Sequence, residues 1–364
     1  MPVGNINQDV PGFRGGSART GVMPGPGPIA DAAVAWTAIL GGPIRSAIVT
    51  ANGLAFVSTG TGTLAAFDLA TGKPRWRASV STSSLSTPAV VGGLVVVGTA
   101  NDGLRALDDA TGTARWSATA DGGVGGAPAD AQGLIVFATD AGTVEAVDAA
   151  TGAERWTASA GDPVNSSVAI ADQVVVVGTS GGGASAAVVA FDLASGTQRW
   201  RTAVGYPGRI GTPALVAGTV YAATGLDGQG DGIHTVVALD LATGLVKWRH
   251  ASSADSTIYT PAVRGSAAYV TGDDWSVSEL NAATGAVAWS TKVGGAIEGN
   301  GALAGDVVYA ATNGGAAVAV DAATGRQLWS VPIQGYPPGP TIADGLLLVG
   351  TDLGTLYAIG GRLP

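Results

Sequence analysis

The chain has 364 residues, of which 46% are hydrophobic, 58 are glycine and only 12% are charged; this composition excludes a disordered chain, which needs low hydrophobicity and high charge. The formal net charge of −9 comes without any cluster of lysine and arginine, which excludes nucleic-acid binding by phosphate neutralisation. There is no cysteine, so disulfides, thiolate metal sites and cysteine nucleophiles are excluded as well.

The first element in chain order is a leader rich in glycine and proline. We expect residues 1–32 to form an arm that packs on the domain formed by residues 33–364. Residues 1–4 lack a basic segment followed by an apolar core, so no signal peptide is expected. No apolar run reaches the ~18 residues that a membrane span needs, so no span is expected either.

An internal repeat of about forty residues follows the arm. The segment at residues 66–76, Ala-Phe-Asp-Leu-Ala-Thr-Gly-Lys-Pro-Arg-Trp, recurs with variation down the chain and ends each time in a tryptophan. The spacings within this tryptophan series are 40, 40, 40, 44, 48, 41 and 40 residues, and Trp275 alone lies outside it. The series consists of Trp36, Trp76, Trp116, Trp156, Trp200, Trp248, Trp289 and Trp329.

Each unit is predicted to form four short strands. In the second unit these are residues 87–91, 94–99, 104–108 and 114–118, separated by glycine-containing turns in which positive φ angles cost glycine nothing. No window shows a sustained period of 3.6 residues, so long helices are not expected. Four strands in forty residues are typical of a β-propeller blade.

The two ends of the chain complete each other. The last unit, residues 340–359, supplies three strands and stops without the aspartate and tryptophan, while residues 33–38 at the other end carry Trp36. Joining them leaves no open edge. We therefore predict an all-β fold, an eight-bladed β-propeller of four-stranded antiparallel blades whose last blade is closed by the N-terminal strand.

The recurring residues are predicted to build the scaffold, because identical residues in every repeat do not make one site. A tryptophan on the outer strand can pack against the next blade and donate its indole N–H to a backbone carbonyl. The aspartate and threonine flanking the glycine are suited to hold the hairpin. Asn281 for aspartate and Ser195 for threonine preserve those hydrogen bonds.

The motif A-x-D-x-x-T-G-x-x-x-W resembles the tryptophan-docking motif of the quinoprotein-like propeller superfamily, whose enzymes use pyrroloquinoline quinone (PQQ). The leader at residues 13–28 is similar to the arm that precedes the first blade in many members. The superfamily contains quinoprotein dehydrogenases, a lipoprotein of the outer-membrane assembly machinery and sensor propellers. This resemblance implies a bacterial protein and makes a periplasmic or extracellular location an expectation.

The resemblance does not extend to the residues of redox catalysis. Many of the dehydrogenases carry a vicinal cysteine pair against the quinone, and they hold Ca²⁺ with Glu, Asn and Asp beside a catalytic Asp. This chain has no cysteine, near-minimal loops and no such set at matching places. PQQ is therefore not expected as a cofactor, since a shared fold does not carry chemistry.

Candidate site residues are the non-repeating ones at one face of the ring. In a propeller, residues entering the first strand of a blade share a face with the loop between its second and third strands; we call this face the channel mouth. The candidates for ligand binding there are Arg45, Asn165, Tyr259, Asp273, Asp274, Trp275, Glu298 and Asn300, with Arg209 as a further nearby cation.

An acidic mouth with exposed aromatic rings suits a cationic, polyhydroxylated or peptide ligand, such as a small molecule, a glycan or a protein partner. Stacking on Trp275 or Tyr259 suits a sugar or a basic side chain. The alternative interpretation is that aspartate and asparagine occupy these loops as good turn formers and remain solvated. Both interpretations stay open at this point.

The insertion in the fifth blade spaces Asp227 and Asp231 among glycines. This residue pattern is typical of loops that bind hard cations. An EF-hand needs a third ligand and a distal glutamate, which are absent. The two aspartates are therefore candidate metal ligands, with Ca²⁺ as the ion, completed by backbone carbonyls. No other cofactor is expected.

Two functions remain. The first is a non-redox ligand-binding, protein-binding or scaffold module, expected to be a monomer, that uses the acidic mouth. The second is an enzyme at the mouth, either similar to PQQ-dependent dehydrogenases or a hydrolase or lyase with Glu298 as acid or base. The chain has only two histidines, His234 and His250. A catalytic site that depends on histidine is therefore not favoured.

Overall fold

The forty-residue repeat folds into eight four-stranded antiparallel sheets arranged as a propeller, as predicted. The computed structural model describes residues 8–81, 86–181, 186–204, 208–225, 234–252 and 256–364. The second and third strands of each blade are rich in valine and alanine and are buried on both faces, whereas the outer strands alternate between exposed and half-buried residues. This pattern is that of sheets stacked face to face around a ring.

Strand bounds follow the repeat closely. Blades 1 to 3 are Val49–Ala51, Leu54–Ser58, Thr63–Asp68, Pro74–Ser79; Ala89–Val91, Leu94–Thr99, Gly103–Asp108, Ala114–Ala118; and Ala129–Ala131, Leu134–Ala138, Thr143–Asp148, Glu154–Ser159. Blades 4 and 5 are Ala169–Ala171, Val174–Gly178, Ala187–Asp192, Gln198–Ala203; and Ala214–Val216, Thr219–Thr224, Thr235–Asp240, Val246–Ala251. Blades 6 to 8 are Ala262–Arg264, Ala267–Thr271, Ser276–Asn281, Val287–Lys292; Ala302–Ala304, Val307–Thr312, Ala316–Asp321, Gln327–Pro332; and Thr341–Ala343, Leu346–Gly350, Thr355–Arg362, Ala30–Ile39.

Four short elements in the described ranges add to the blades. They are a 3₁₀ helix at Phe13–Gly15, the strand Val22–Met23, which pairs parallel with Ala302–Ala304 of blade 7, and the strands Ser180–Gly181 and Gly208–Arg209, which pair with each other. In the described ranges, no helix is long and apolar enough to cross a membrane. Residues 182–185 of the fourth-blade insertion lie outside the described residues.

The eighth blade joins both ends of the chain. Its outer strand, Ala30–Ile39, pairs antiparallel with Thr355–Arg362, and Trp36 lies opposite Ala358. The predicted closure is therefore confirmed. The closing strand begins three residues before the predicted arm boundary, because Ala30 already pairs with Arg362.

Each tryptophan of the series connects its blade to the next. The Trp36 indole donates to the Leu69 carbonyl at 3.1 Å, and the other series indoles donate to carbonyls in the same way. A hairpin glycine lies beneath the rings from Trp36 to Trp289, and two properties require it: Gly72, for example, has φ +69°, and a Cβ there would lie 2.5 Å from the Trp36 ring. Packing between blades therefore explains why tryptophan and glycine recur at these two positions of the repeat.

The hairpin aspartates hold their turns as expected. Asp108 Oδ1 accepts hydrogen bonds from the backbone N–H and the hydroxyl of Thr111 at 2.9 and 2.7 Å, and Asp108 Oδ2 accepts from Arg115 at 2.7 Å. The Arg115 and Thr111 hydrogen bonds lower the pKa of Asp108 to about 2. Asn281 keeps the backbone bonds, since its Oδ1 accepts from the N–H groups of Ala283 and Thr284.

The arm runs around the inside of the ring and contacts every blade in turn. The first strand of each blade turns an unpaired edge toward the channel, and buried edge groups need partners. The arm supplies them in chain order from blade 8 through blade 7. The contacts are Gln8 N to Asp344 Oδ1, Thr50 N to Val10 O, Val90 N to Pro11 O, Ser17 Oγ to Asp130 O, Ile170 N to Ser17 O, Leu215 N to Ala18 O, Val263 N to Thr20 O and Leu303 N to Gly21 O.

Two arginines of the arm are buried in the ring. Arg19 is 1% exposed, and its guanidinium donates to five backbone carbonyls, those of Phe13, Gly16, Ala127, Pro128 and Val168, at 2.6 to 3.3 Å. This matches the five N–H groups that an arginine carries. Burial lowers the pKa of Arg19 to about 10, opposed by the charge of Asp130.

Arg14 is satisfied less completely than Arg19. Its Nη2 donates to the Pro261 carbonyl at 2.6 Å and its Nε to the Arg19 carbonyl at 3.2 Å. Its buried Nη1 has no hydrogen-bond partner among the described residues. Burial and then the neighbouring charge of Arg19 lower the pKa of Arg14 to about 9. The arm therefore buries two charged arginine side chains on the inside of the ring.

Candidate functional site at the channel mouth

The channel mouth is built from the segments that the repeat predicts to share one face of the ring. Residues entering the first strand form isolated bridges with residues at the end of the second strand of the same blade, as in Val164 with Thr179 and Ile258 with Gly272. The entry segments and the loops between the second and third strands therefore share one face of the ring. The predicted candidates lie on these segments.

Blade 6 and its neighbours bring several candidates together. Tyr259 enters the first strand of blade 6 and is half-buried. Burial first, then the charges of Asp273 and Glu298, raise the pKa of Tyr259 to about 12, opposed by the charge of Arg209. The phenol stays protonated at neutral pH and is available as a hydrogen-bond donor beside two carboxylates.

Asp273 and Asp274 differ in their surroundings. Asp273 Oδ1 accepts from the Ser256 hydroxyl at 3.0 Å and from the Thr257 N–H at 2.8 Å. Asp274 forms an ion pair with Lys292 at 2.8 Å and accepts from Ser276. Burial raises the pKa of Asp274, but the bonds to Lys292 and Ser276 outweigh it and the pKa is lowered overall. Asp274 is thus a turn residue with its charge compensated.

Trp275 stands in an unusual backbone conformation. It is 53% exposed and has φ +73°, a region that bulky residues rarely adopt. Its N–H bonds the carbonyl three residues earlier. The residues that make the same bond in blades 1, 3, 7 and 8 are all glycines with positive φ, namely Gly62, Gly142, Gly315 and Gly354. Tryptophan therefore occupies a glycine position without being buried.

The remaining candidates are spread around the ring. Glu298, in blade 7, accepts from the Asn313 side chain at 2.7 Å, and Asn165, in blade 4, donates to the Ser180 hydroxyl at 2.7 Å. Arg45 is exposed at the entry to blade 1, and Asn300 is half-buried beside the backbone of blade 8. In the described residues no nucleophile or second carboxylate is hydrogen-bonded to Glu298, and its role as acid or base stays a prediction.

Three exposed apolar residues of the mouth were not identified from the sequence: Ile39, Tyr336 and Leu353. Ile39 ends the closing strand, and the other two lie on blade 8 loops. Leu353 could have been noticed in the sequence, because an apolar residue in a loop where other blades carry Ala, Asp, Asn, Gly or Thr cannot be explained by turn chemistry.

A buried carboxyl group lies between blades 2 and 3. Glu145 is 7% exposed, and nearby Asp121 accepts hydrogen bonds from the hydroxyls of Thr139 and Thr143. Burial first, then the charges of Asp121 and Glu154, raise the pKa of Glu145 to about 7. The ionised form of Glu145 therefore destabilises the folded protein.

We expect Glu145→Gln to raise the Tm above pH 7 and to leave it unchanged near pH 4.5. Because the folded pKa is raised, the stabilising contribution of the protonated group is complete below pH 4.5 and is lost as the pH rises through 7. The gain at pH 8 should be about 3 kcal/mol, since the pKa rises from 4.5 to about 7 and each pKa unit corresponds to about 1.4 kcal/mol. Thermal unfolding from pH 4.5 to 8.5 measures it, with Glu298→Gln as the exposed control. A Tm difference independent of pH would contradict the assignment.

The described residues were compared with the ligands that a metal or quinone needs. No group of three or more His, Asp or Glu side chains comes together there, and Asp273, Asp274 and Glu298 already accept hydrogen bonds from protein donors. The expectation that the chain takes no quinone stays a prediction. Asp227 and Asp231 lie in residues 226–233, outside the described residues, so the calcium prediction stays a prediction.

Comparison with known proteins agrees with the repeat. The profile of the family described as outer membrane protein assembly factor BamB matches residues 29–140 and 119–257, which together cover more than half of the chain. The chain belongs to the BamB family. A curated BamB of Burkholderia pseudomallei is 35% identical over 101 residues, which are 27% of this chain and 26% of that protein. The match thus spans about a quarter of the relative's length.

Solved structures show the same fold as this BamB-family chain. BamB from Moraxella catarrhalis superimposes with a TM-score of 0.72 at 19% identity, covering 92% of this chain and 98% of that one. Quinohemoprotein alcohol dehydrogenase from Comamonas testosteroni gives 0.73 at 17% identity, over 98% and 82% of the two chains. A europium-containing methanol dehydrogenase gives 0.76 at 13% identity, over 97% and 98%. Identities this low establish the propeller fold only.

Proposed function

We propose that this chain is a non-redox protein-binding scaffold that docks a partner on its channel mouth. Two observations support the proposal: the family is described as an outer membrane protein assembly factor, and the mouth carries Trp275 in a strained and exposed position. By the same family resemblance we place its action in the periplasm. The positive φ angle of Trp275 is the strongest support for the proposal.

Trp275 costs the fold free energy without an evident packing gain. A non-glycine residue in the left-handed region costs about 1–2 kcal/mol, and four other blades avoid that cost with glycine at the same hydrogen-bonded position. Strain that persists at an exposed aromatic residue is typical of binding sites. Tryptophan is also the residue type most enriched among the dominant contacts of protein interfaces.

We expect Trp275→Gly to stabilise the fold by about 1 kcal/mol, since glycine adopts the left-handed region freely, and to weaken partner binding at least tenfold. Thermal unfolding measures the first effect. For the second, wild-type protein captures partners from an envelope extract, and each purified partner is titrated by calorimetry against wild type and variant.

Leu245→Ser is the matched control, because Leu245 is a large exposed apolar residue in the outer hairpin of blade 5, away from the mouth. It should leave the dissociation constant unchanged. A partner that binds Trp275→Gly as tightly as wild type would show that the docking face lies elsewhere.

A further inference from the structure

Besides Trp275 on blade 6, the mouth carries exposed apolar residues on blade 8. Ile39, Tyr336 and Leu353 are 71%, 56% and 62% exposed. With Trp275 they make up four of the eight large hydrophobic side chains that are exposed in the described part of the chain. We call these four residues the apolar rim.

Hydrogen bonds place the blade 8 members of the rim next to one another. The Tyr336 N–H donates to Asp352 Oδ1 at 2.7 Å, which brings the loop of Tyr336 against the loop of Leu353. The N–H of Leu40, which follows Ile39, donates to the Gly354 carbonyl at 2.9 Å. Ile39, Leu353 and Tyr336 therefore form one patch across the end of blade 8.

Three carboxylates lie on this sector, and the charge of Arg209 also acts on Tyr259 there. Asp273, Glu298 and Asp352 accept hydrogen bonds only from uncharged groups: the Ser256 hydroxyl and Thr257 N–H, the Asn313 amide, and the Tyr336 N–H. None of the three forms an ion pair within the described ranges. By contrast, Asp68, Asp108, Asp148, Asp192 and Asp240 of the outer hairpins each pair with an arginine or lysine.

We propose that blades 6 to 8 of the mouth bind an extended segment of a partner protein that alternates basic and apolar side chains. This inference rests on the proposed function and names the chemistry of the partner at that site. Lysine or arginine side chains would face Asp273, Glu298 and Asp352, and apolar side chains would cover the rim. Trp275 suits both, since an indole face attracts a cation and buries a large apolar area.

The observations favour a peptide over the other ligands of an acidic mouth. A sugar stacks on one aromatic ring among hydrogen-bond donors, whereas Ile39 and Leu353 offer it only aliphatic surface. An anionic membrane surface is repelled by three carboxylates that form no ion pair within the described ranges. A basic segment gains from those charges at the encounter stage, so its binding should weaken as salt screens them.

Fluorescence anisotropy with three labelled twelve-residue peptides tests the proposal. One alternates lysine with leucine, one replaces each lysine with glutamate, and one replaces each leucine with serine. We expect the lysine–leucine peptide to bind at least tenfold more tightly than the other two, and to lose at least tenfold in affinity between 50 and about 500 mM salt. Equal binding of all three peptides would overturn the inference.

Variants locate the segment on the mouth. Leu353→Ser with Tyr336→Ser should weaken the lysine–leucine peptide at least fivefold, as should Glu298→Gln with Asp352→Asn, while Leu245→Ser should have no effect. If only Trp275→Gly weakens a captured protein partner and these pairs do not, the proposed function stands and this inference fails. Tighter binding to phosphatidylglycerol vesicles than to the peptide would also overturn it, in favour of a membrane surface.

Discussion

Replacing Arg19 with methionine should lower the free energy of unfolding by about 4 kcal/mol. Methionine keeps an apolar stem of similar length, so the loss comes from the guanidinium. Its removal leaves buried carbonyls of blades 3 and 4 and of the arm without donors, and unpartnered buried groups are costly. Lysine should recover only part of the loss, because one ammonium cannot serve five acceptors in a planar fork.

Urea unfolding followed by tryptophan fluorescence measures this effect. Arg45→Met is the matched control, because Arg45 is an exposed arginine of the mouth; its effect should stay within about 0.5 kcal/mol. A loss of less than about 1 kcal/mol for Arg19→Met would show that the arm contributes little to holding the ring together.

Trp200→Ala should cost about 3–4 kcal/mol, the range for removing a buried aromatic side chain. The Trp200 ring is buried, its indole donates to the Leu241 carbonyl at 2.9 Å, and Gly244 of the next blade lies directly against the ring. Its loss opens a cavity between blades 4 and 5 and leaves that carbonyl without its donor.

Trp275→Ala provides the comparison within the same chain. Trp275 is the one tryptophan outside the repeat series, and its exposed ring should be removable within about 0.5 kcal/mol. Thermal and urea unfolding of the two variants side by side measure the contrast. If both lose the same stability, membership of the series does not report inter-blade packing.

The periodic part of the fold was predictable because the tryptophan makes the same inter-blade contact in eight blades and the hairpin residues make theirs in seven. The tryptophan spacing gave the blade number, and Trp36 with the incomplete last unit gave the closure, both of which are confirmed. The path of the arm was not predictable, since Arg14 and Arg19 have the appearance of solvated loop residues. They are buried only because the ring presents backbone carbonyls to its centre, and backbone acceptors leave no trace in a sequence pattern.

The sequence was sufficient to predict on which face of the ring the candidate site lies. Strand polarity places Tyr259, Asp273 and Glu298 on the mouth, and the structure brings the charges of Asp273 and Glu298 close to Tyr259. The sequence does not reveal that Asp274 is neutralised by Lys292 while Asp273 forms no ion pair in the described residues, because this depends on which loop folds over which. The binding role of these residues remains a prediction.

The circuit of the arm has a consequence for how the protein is made. Residues 8–21 are synthesised before every blade, yet their partners extend from Thr50 to Asp344. Contacts this distant in sequence form slowly, and a segment whose partners are not yet made is exposed to misassembly. The closing strand Ala30–Ile39 therefore cannot complete the eighth blade until its partner Thr355–Arg362 has been synthesised.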